Sequence, residues 1–352
     1  MSKRIIIVSG GTGGHIYPAL NIAYKLIEKG WDVRWIGSID RMEAEIIPKK
    51  KIKIYLIKFL KFKKKNIWSK IITLFKLIKP MYKTILIYKS YKPNIVLAMG
   101  SYISGPSGIA AWLCGIPLII HEQNSIPGFT NNFLSKISKK SMQAYPHTFK
   151  NGILVGNPLS KEITKLSLCK KKFLKNNNPL HLLIMGGSQG SNIINSIGIN
   201  LAKILKNKVI ILHQVGKGNL KDISLSFLNK NEKKFYFITE YIYKIHYAYK
   251  WADIIISRSG AMTVSEISAI GLPAIFIPFK HKDNQQYFNA LRLKQIGAAE
   301  IFDQDNINIH NIINVLLSWN KQMLIQISKK SRSVSLINST ELIYKEINEY
   351  FN

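Results

Sequence analysis

Cysteine is nearly absent: Cys114 and Cys169 are the only two in 352 residues, and neither stands with histidines or acids at metal-ligand spacing. A disulfide framework is excluded, a protein-bound catalytic metal is not expected, and a reducing compartment fits. Negative charge is scarce as well, with 19 acidic residues against 51 basic ones and a formal net charge of +32. Only six of the basic residues are arginine. Two readings of that excess stay open: AT-rich codons, which swell Lys, Ile and Asn together, or an anionic partner. Long unbroken apolar runs are missing too. Ile5 to Val8 gives way at once to a glycine loop, which reads as a first strand and not as a signal peptide. The uncharged span Pro93 to Ile120 is long enough to cross a bilayer, but Gly100, Gly105, Pro106, Gly108, Gly115 and Pro117 divide it into strand, loop, short helix and strand.

What is present is a globular composition, 47% apolar, in a chain long enough for two domains. Ile5 to Val8 is predicted as a strand, followed by the loop 9–15 and a helix from about Pro18 to Lys29 that Gly30 ends. Asp32 to Ile36, Ile95 to Met99 and Pro117 to Ile120 read as further buried strands, and Ile67 to Lys79 as an apolar-rich helix. A boundary is expected near Gly156-Asn157-Pro158. Beyond a polar stretch the pattern repeats: strand Leu182 to Met185, loop 186–190, then a helix from about Asn192 to Leu205. Strands near Val209 to His213 and Phe235 to Thr239 follow. Alternating strands and helices with buried strands imply an α/β protein of two doubly wound domains. Ligands of such sheets bind at the carboxyl ends of the strands, so the site is expected in the cleft between domains.

The richest stretch runs from Ser257 to Ala290. A buried strand ending at Ile256 leads through Ser259-Gly260-Ala261 into a helix beginning near Met262. That arrangement aims free N–H groups and the positive end of a helix dipole at one spot, which suits a phosphate. Glu266, one turn in, would repel a phosphate but could accept hydrogen bonds from a ribose diol. Gly271-Leu272-Pro273 stops the helix and Ala274 to Pro278 reads as a strand. The polar loop 281–286 then ends in amides, which are suited to reading sugar hydroxyls. The loops 10–14 and 186–190 are anion cradles by composition. Neither spells G-x-G-x-x-G, no acid closes strand two, and no P-loop occurs anywhere. His15, at the mouth of the first loop, is the candidate base. His121-Glu122-Gln123-Asn124, after a buried strand, is a second candidate cluster.

Taken in order, GGTGGH (10–15), HEQNSIPG (121–128), GNP (156–158), GGSQG (186–190), SRSGAMTVSE (257–266) and PFKHKDNQQYFNA (278–290) resemble the MurG family of bacterial glycosyltransferases over nearly the whole chain. The resemblance implies the GT-B fold, two Rossmann-like domains facing across a cleft. It divides the chain into 1–157 on the acceptor and membrane side, 158–335 on the UDP-GlcNAc side, and a final helix within 336–352 crossing back. It implies an inverting hexosyltransferase that moves GlcNAc from UDP-GlcNAc to the C4 hydroxyl of lipid I to form lipid II, in peptidoglycan synthesis, with no cofactor. The donor would contact Thr12, Gly13, Gly14, Asn124, Ser188, Ile242, Ala261, Met262, Thr263, Val264, Ser265, Glu266 and Gln286. Among these, Ile242 would hold uracil through its backbone, Glu266 the ribose and Gln286 the GlcNAc hydroxyls, with His15 as base. One departure stands out: the family's arginine two residues after the GNP proline is Ser160 here, with Lys161 or Arg258 left to compensate. Implied partners are lipid I, an anionic membrane surface and cell-wall synthesis proteins, not nucleic acid. The implied place is peripheral, on the cytoplasmic face of the inner membrane.

Two rivals bear on this reading. A UDP-GlcNAc 2-epimerase shares the scaffold and the donor, and a non-catalytic basic binding protein would need neither glycine loops nor the amide loop. For the membrane, Ile71, Leu74, Phe75 and Ile78 recur at helical spacing, widened by Ile67, Trp68, Ile72 and Leu77. Lys61, Lys63, Lys64, Lys65, Lys70, Lys76, Lys79 and Lys83 surround them, as on a helix lying in an anionic lipid interface. Trp112 would extend that patch.

Overall fold

The computed structural model describes residues 3–59, 67–168, 179–220 and 234–351; the side chains of residues 67–76, 168 and 351 are not described. The fold has two compact units, residues 1–159 with 338–352, and residues 160–337. The divide therefore comes at Leu159/Ser160 and again at Ile337/Asn338.

Unit 1 begins β1 (Arg4–Val8), α1 (Gly13–Glu28), β2 (Asp32–Ser38), α2 (Met42–Lys49), β3 (Lys53–Ile57) and α3 (Ile67–Tyr91). It continues β4 (Ile95–Ala98), α4 (Ser104–Leu113), β5 (Leu118–Glu122), α5 (Phe129–Leu134), β6 (Lys140–Gln143) and β7 (Ile153–Leu154). The strands form one parallel sheet in the order β3-β2-β1-β4-β5-β6-β7. Alternate residues of β1 feed opposite faces, as a period-2 strand must. Ile5 and Ile7 pack with Ile16, Leu20 and Leu26 of α1, whereas Ile6 and Val8 pack with Tyr88, Tyr91, Ala110 and Ala111.

Unit 2 holds α6 (Lys161–Leu168), β8 (Leu180–Met185), α7 (Asn192–Leu205), β9 (Val209–Gln214), β10 (Tyr236–Thr239), α8 (Ile245–Trp251) and β11 (Ile254–Ser257). Then come α9 (Ala261–Ile270), β12 (Ala274–Phe276), α10 (Gln285–Gln295), β13 (Ala299–Ile301), α11 (Ile309–Ser318) and α12 (Lys321–Ser333). Its parallel sheet runs β10-β9-β8-β11-β12-β13. The chain ends in α13 (Ser339–Asn348), which returns to unit 1 and buries Ile343 and Ile347 in the α1 side of its core.

Several elements differ from the sequence reading, each for a local reason. The first helix starts at Gly13, five residues before Pro18, so the last glycines of the loop are its first turn. Pro18 lacks an N–H and leaves the Gly14 carbonyl without its usual helical donor. α3 does not stop at Lys79 but runs through Pro80 to Tyr91, with the Thr84 hydroxyl donating to the Pro80 carbonyl at 2.9 Å. The lysine-rich stretch 49–58 contains β3, an edge strand whose exposed Lys53 suits its position. The strand expected at Ala274 to Pro278 ends at Phe276. β5 extends through Glu122, so His121 and Glu122 belong to the sheet and are buried, not parts of a solvated loop. Gly30 and Gly271, both at positive φ, end α1 and α9 as predicted.

Ser160, where the family has arginine, is the N-cap of α6. Its hydroxyl accepts from the Ile163 N–H at 3.3 Å and its carbonyl from the Thr164 N–H. Ser160→Ala is expected to destabilise unit 2 by about 1 kcal/mol, and Ser160→Asp, another good cap, to hold stability. Urea unfolding read by circular dichroism checks this; equal loss in both variants would remove the capping role.

Candidate functional site

Both sheets reverse their strand order once, between β1 and β4 in unit 1 and between β8 and β11 in unit 2. At such a point the loops leaving the two central strands part to opposite faces and open a crevice at the strands' carboxyl ends. In unit 1 these loops are 9–12 and 99–103, and in unit 2 they are 186–191 and 258–260. The motifs 10–15, 186–190 and 257–266 sit on them or on the helices they open, whereas 121–128, 156–158 and 278–290 lie at or after the ends of β5, β7 and β12.

In unit 1, the loop after β1 is held from beneath by Glu43, a fully buried residue in the first turn of α2. One carboxylate oxygen accepts from the Gly11 N–H at 3.0 Å and the other from the Ser38 N–H at 2.9 Å. A Cβ on Gly10 would fall 2.1 Å from Glu43 Oε1, so only glycine lets the carboxylate in. This corrects the composition reading: the loop already contains an anion, and the Gly11 N–H serves that one. Thr12 and Gly14 stay exposed, and Gly13 is half-buried, in the first turn of α1. Nothing in the sequence pattern had singled out Glu43.

His15 is the third residue of α1 and is half-buried. Its Nδ1 lies 3.1 Å from the Met99 carbonyl and 2.9 Å from Gln123 Oε1. The ring rests against Gly100, where a Cβ would come within 3.3 Å of His15 Cε1. So α1, the loop after β4 and the end of β5 meet on this imidazole. Glu122 is not free to act as an alternative base. Oε1 accepts from the backbone and side-chain amides of Asn124, both at 3.0 Å, while Oε2 accepts from Gly128 N–H and Asn131 Nδ2. With four donors on one carboxylate, Glu122 is the post on which residues 124–131 are hung. His121, entirely buried, is kept neutral: burial pulls its pKa down to about 4, partly countered by the Gly156 carbonyl it donates to.

In unit 2, α9 opens at Gly260 with no side-chain cap. The N–H groups of Ala261, Met262 and Thr263 therefore have no partner within the helix, whereas Val264 gives its N–H to the Gly260 carbonyl. Val264 also turns its side chain into the core, so neither its side chain nor its N–H is open to a ligand. Ser265 is half-buried on the same helix. Glu266 keeps part of its surface open, and its Oε2 accepts from the buried Tyr249 hydroxyl at 2.9 Å. Burial of its carboxyl raises its pKa to about 7, against the opposing pull of the Tyr249 bond. Ser188 is exposed on the loop after β8, and its carbonyl accepts from the Lys217 N–H. Gln214, absent from the sequence reading, ties the loop that carries Ser188 to Ile242. Its Nε2 donates to the Gly187 carbonyl and its Oε1 accepts from the Ile242 N–H at 2.9 Å. Ile242 is left to offer its carbonyl alone. Gln286 Oε1 accepts from the Phe279 N–H, which orients the amide and leaves its NH2 for a ligand.

Arg258 is already engaged within unit 2. Its guanidinium donates to the carbonyls of Ile277 and Pro278, to Gln304 Oε1 and to Ser191 Oγ, and it lies 5.5 Å from the Phe279 ring centre. It clasps the ends of β11, β12 and α7 within unit 2.

Residues 5–143 match the glycosyltransferase family 28 N-terminal domain, and residues 181–346 match the C-terminal domain of the same family. The chain is 45% identical to the UDP-N-acetylglucosamine–N-acetylmuramyl-(pentapeptide) pyrophosphoryl-undecaprenol N-acetylglucosamine transferase of Baumannia cicadellinicola subsp. Homalodisca coagulata, over 99% of this chain and 98% of that one. The enzyme of the same description from Proteus mirabilis (strain HI4320) is 43% identical, again over 99% and 98%. A crystal structure of Acinetobacter baumannii MurG superposes with a TM-score of 0.81 at 29% identity, covering 99% of each chain. The chain belongs to the MurG family of glycosyltransferases. Its fold is GT-B, and it is an N-acetylglucosaminyltransferase, hence a hexosyltransferase. A UDP-GlcNAc 2-epimerase from Neisseria meningitidis, at 14% identity and a TM-score of 0.66, shares the fold alone.

A carboxyl group whose pKa rises on folding weakens the fold where it must ionise. Glu266 costs nothing below pH 4.5, where it is protonated folded or unfolded; the cost grows from there to about pH 7 and is constant above. Glu266→Gln is therefore expected to stabilise the ligand-free protein by about 1–3 kcal/mol at pH 8 and by nothing near pH 4.5. Urea midpoints at the two pH values check it, and a gain that does not depend on pH would refute it.

Proposed function

We propose that this chain transfers GlcNAc from UDP-GlcNAc to the C4 hydroxyl of the muramoyl sugar of lipid I, forming lipid II with inversion at the anomeric carbon. The observation that carries this is full-length 45% identity to a transferase of that description. The two switch-point sites are chemically suited to it. UDP leaves as a diphosphate, and the uncapped N–H groups of Ala261, Met262 and Thr263, with the dipole of α9, would meet its growing negative charge. Glu266, steadied by Tyr249, would accept from the ribose diol, the Ile242 carbonyl from uracil N3–H, and Gln286 NH2 would donate to a sugar hydroxyl. Thr12, Gly13, Gly14, Asn124 and Ser188 would complete the donor set. Residues 160–337 would thus supply most of the UDP-GlcNAc contacts, and residues 1–159 the remaining ones and the acceptor side.

The acceptor hydroxyl attacks the anomeric carbon from the face opposite UDP, and His15 takes its proton as the bond forms. Radiolabel transfer from UDP-GlcNAc to lipid I by the purified protein tests the reading. His15→Ala is expected to lower kcat by about 10²–10⁴-fold with UDP affinity unchanged. Glu266→Gln is expected to lose about 1–3 kcal/mol of UDP binding by calorimetry. Turnover of UDP-GlcNAc to its C2 epimer with no acceptor present, and no transfer, would favour the epimerase instead.

Attachment to the cytoplasmic leaflet rests on α3. In its described half, Thr84, Tyr88 and Tyr91 are buried, whereas Ile78, Tyr82 and Leu86 are exposed, Tyr82 to 59%. The two stripes are offset by two residues, or about 200° around the helix, so packing in the core accounts for only one of them. The exposed one continues the predicted stripe; Ile67, Trp68, Ile71, Ile72, Leu74 and Phe75 lie outside the described side chains, as do Lys70 and Lys76, and Lys61, Lys63, Lys64 and Lys65 lie outside the described residues. Trp112 and Leu113 are exposed on α4, which packs beside it, and Phe129 and Phe133 on α5, which packs against α4. No described helix is long and apolar enough to cross a membrane. Lys79 and Lys83 flank the exposed stripe and would add roughly 1 kcal/mol each on anionic lipid. Tyr82→Ser/Leu86→Ser is expected to reduce co-sedimentation with anionic vesicles, and salt to weaken wild-type binding. Equal partitioning of both proteins, whatever the salt or lipid charge, would discard the membrane face. Cell-wall synthesis proteins remain proposed partners.

A further inference from the structure

His15, Gln123 and His121 form one chain of hydrogen bonds whose protons can be placed only one way. The Met99 carbonyl, 3.1 Å from His15 Nδ1, can only accept, so Nδ1 carries the proton. The Gln123 atom 2.9 Å from that nitrogen must then be its oxygen. This turns the Gln123 NH2 towards His121 Nδ1, at 3.1 Å, which must present a lone pair. A neutral His121 then carries its proton on Nε2, 2.9 Å from the Gly156 carbonyl, again an obligate acceptor. Both ends of the chain are backbone carbonyls, and the two independent assignments meet in the middle without conflict. Gln123 and His121 are 1% and 0% exposed, so water does not offer either an alternative partner.

We propose that Gln123 and His121 are positioning residues for His15, holding it as the Nδ1–H tautomer with its Nε2 lone pair available as the base. The proposal rests on the reading of His15 as the base. Gln123 orients the imidazole and its oxygen stabilises the imidazolium formed when Nε2 takes the acceptor's proton. It is a neutral counterpart of the carboxylate that often backs a catalytic histidine. His121 in turn fixes the amide, because a Gln123 turned end for end would place NH2 against the His15 Nδ1–H. Protonating His121 would have that effect, since an Nδ1–H there opposes the NH2 of Gln123. Its complete burial keeps it neutral. The other titratable groups nearby are engaged elsewhere: Glu122 holds Asn124, Gly128 and Asn131, and Glu43 holds Gly11 and Ser38.

The decisive measurement needs no activity. Long-range ¹H–¹⁵N spectra of histidine-labelled protein, with His15→Asn to assign the signal, report which ring nitrogen is protonated. The expected wild-type result near pH 8 is a protonated Nδ1 and a bare Nε2 on His15, and the reverse on His121. An Nε2–H form of His15 in the wild type overturns the proposal without any further variant. Gln123→Leu is expected to let that second form appear, to lower kcat about 10–100-fold with the KM for UDP-GlcNAc within twofold, and to move the acid limb of the kcat/KM profile to lower pH. His121→Leu is expected to give the same defect, and the double variant no more than either alone. Additive losses, or an unmoved pH profile and spectrum, overturn it. If His15→Ala keeps its kcat, the base assignment fails, while the wild-type spectrum still judges the chain of hydrogen bonds separately.

Discussion

The reversal of strand order between β1 and β4, and between β8 and β11, is the constraint on which the rest of this molecule depends. A parallel strand ends with its backbone pointing out of a covered sheet, and the chain must turn at once into a helix on one face or the other. Where two neighbouring strands send their chains to opposite faces, the loops part and no side chain fills the gap. Glycine is needed where these loops pass other groups closely, and a helix N-terminus follows each of them. The crevices thus arise from connectivity, before any particular ligand chemistry is added.

A chain of net charge +32 still needs carboxylates inside, and it spends them on backbone. Glu43 secures the loop after β1 and Glu122 secures the segment after β5, each by accepting several N–H donors in the interior. A buried carboxylate is tolerable only when its lone pairs are used in this way. Glu266 is different: it has one hydrogen bond from Tyr249 and a pKa raised by burial to about 7. A carboxyl left short of donors in the free protein is one prepared for donors from a ligand, and two ribose hydroxyls would supply them. Arg258 and Ser160 show polar groups put to structural use: the first clasps strand ends and the second caps a helix.

The two faces of α3 separate core from surface by geometry alone. Its tyrosines at 88 and 91 complete the core beneath β1 and β4, and its apolar residues at 78, 82 and 86 point away from it. Hydrophobic residues spaced by four on an exposed face are costly to solubility unless something covers them. The membrane attachment proposed above would cover that face.

By itself the sequence determined the alternation of elements, and with it two doubly wound units, because buried parallel strands leave an unmistakable run of Ile, Leu and Val between glycine loops. It also marked the helix opened by Ser259-Gly260-Ala261 and the positions of His15 and Glu266, since turn glycines and lone polar residues beside them are local signals. What only the tertiary structure decided were the partners. Glu43 lies 32 residues from the Gly11 it holds, Gln123 lies 108 from His15, and Gln214 lies 28 from Ile242. Hydrogen-bond direction is set by which strand neighbours which, and no spacing within one segment encodes that. The same reason bears on the candidate cluster at 121–124: that His121 and Glu122 are buried follows from the sheet order, in which β5 is flanked on both sides, by β4 and β6. There a polar side chain survives only by finding its partner inside.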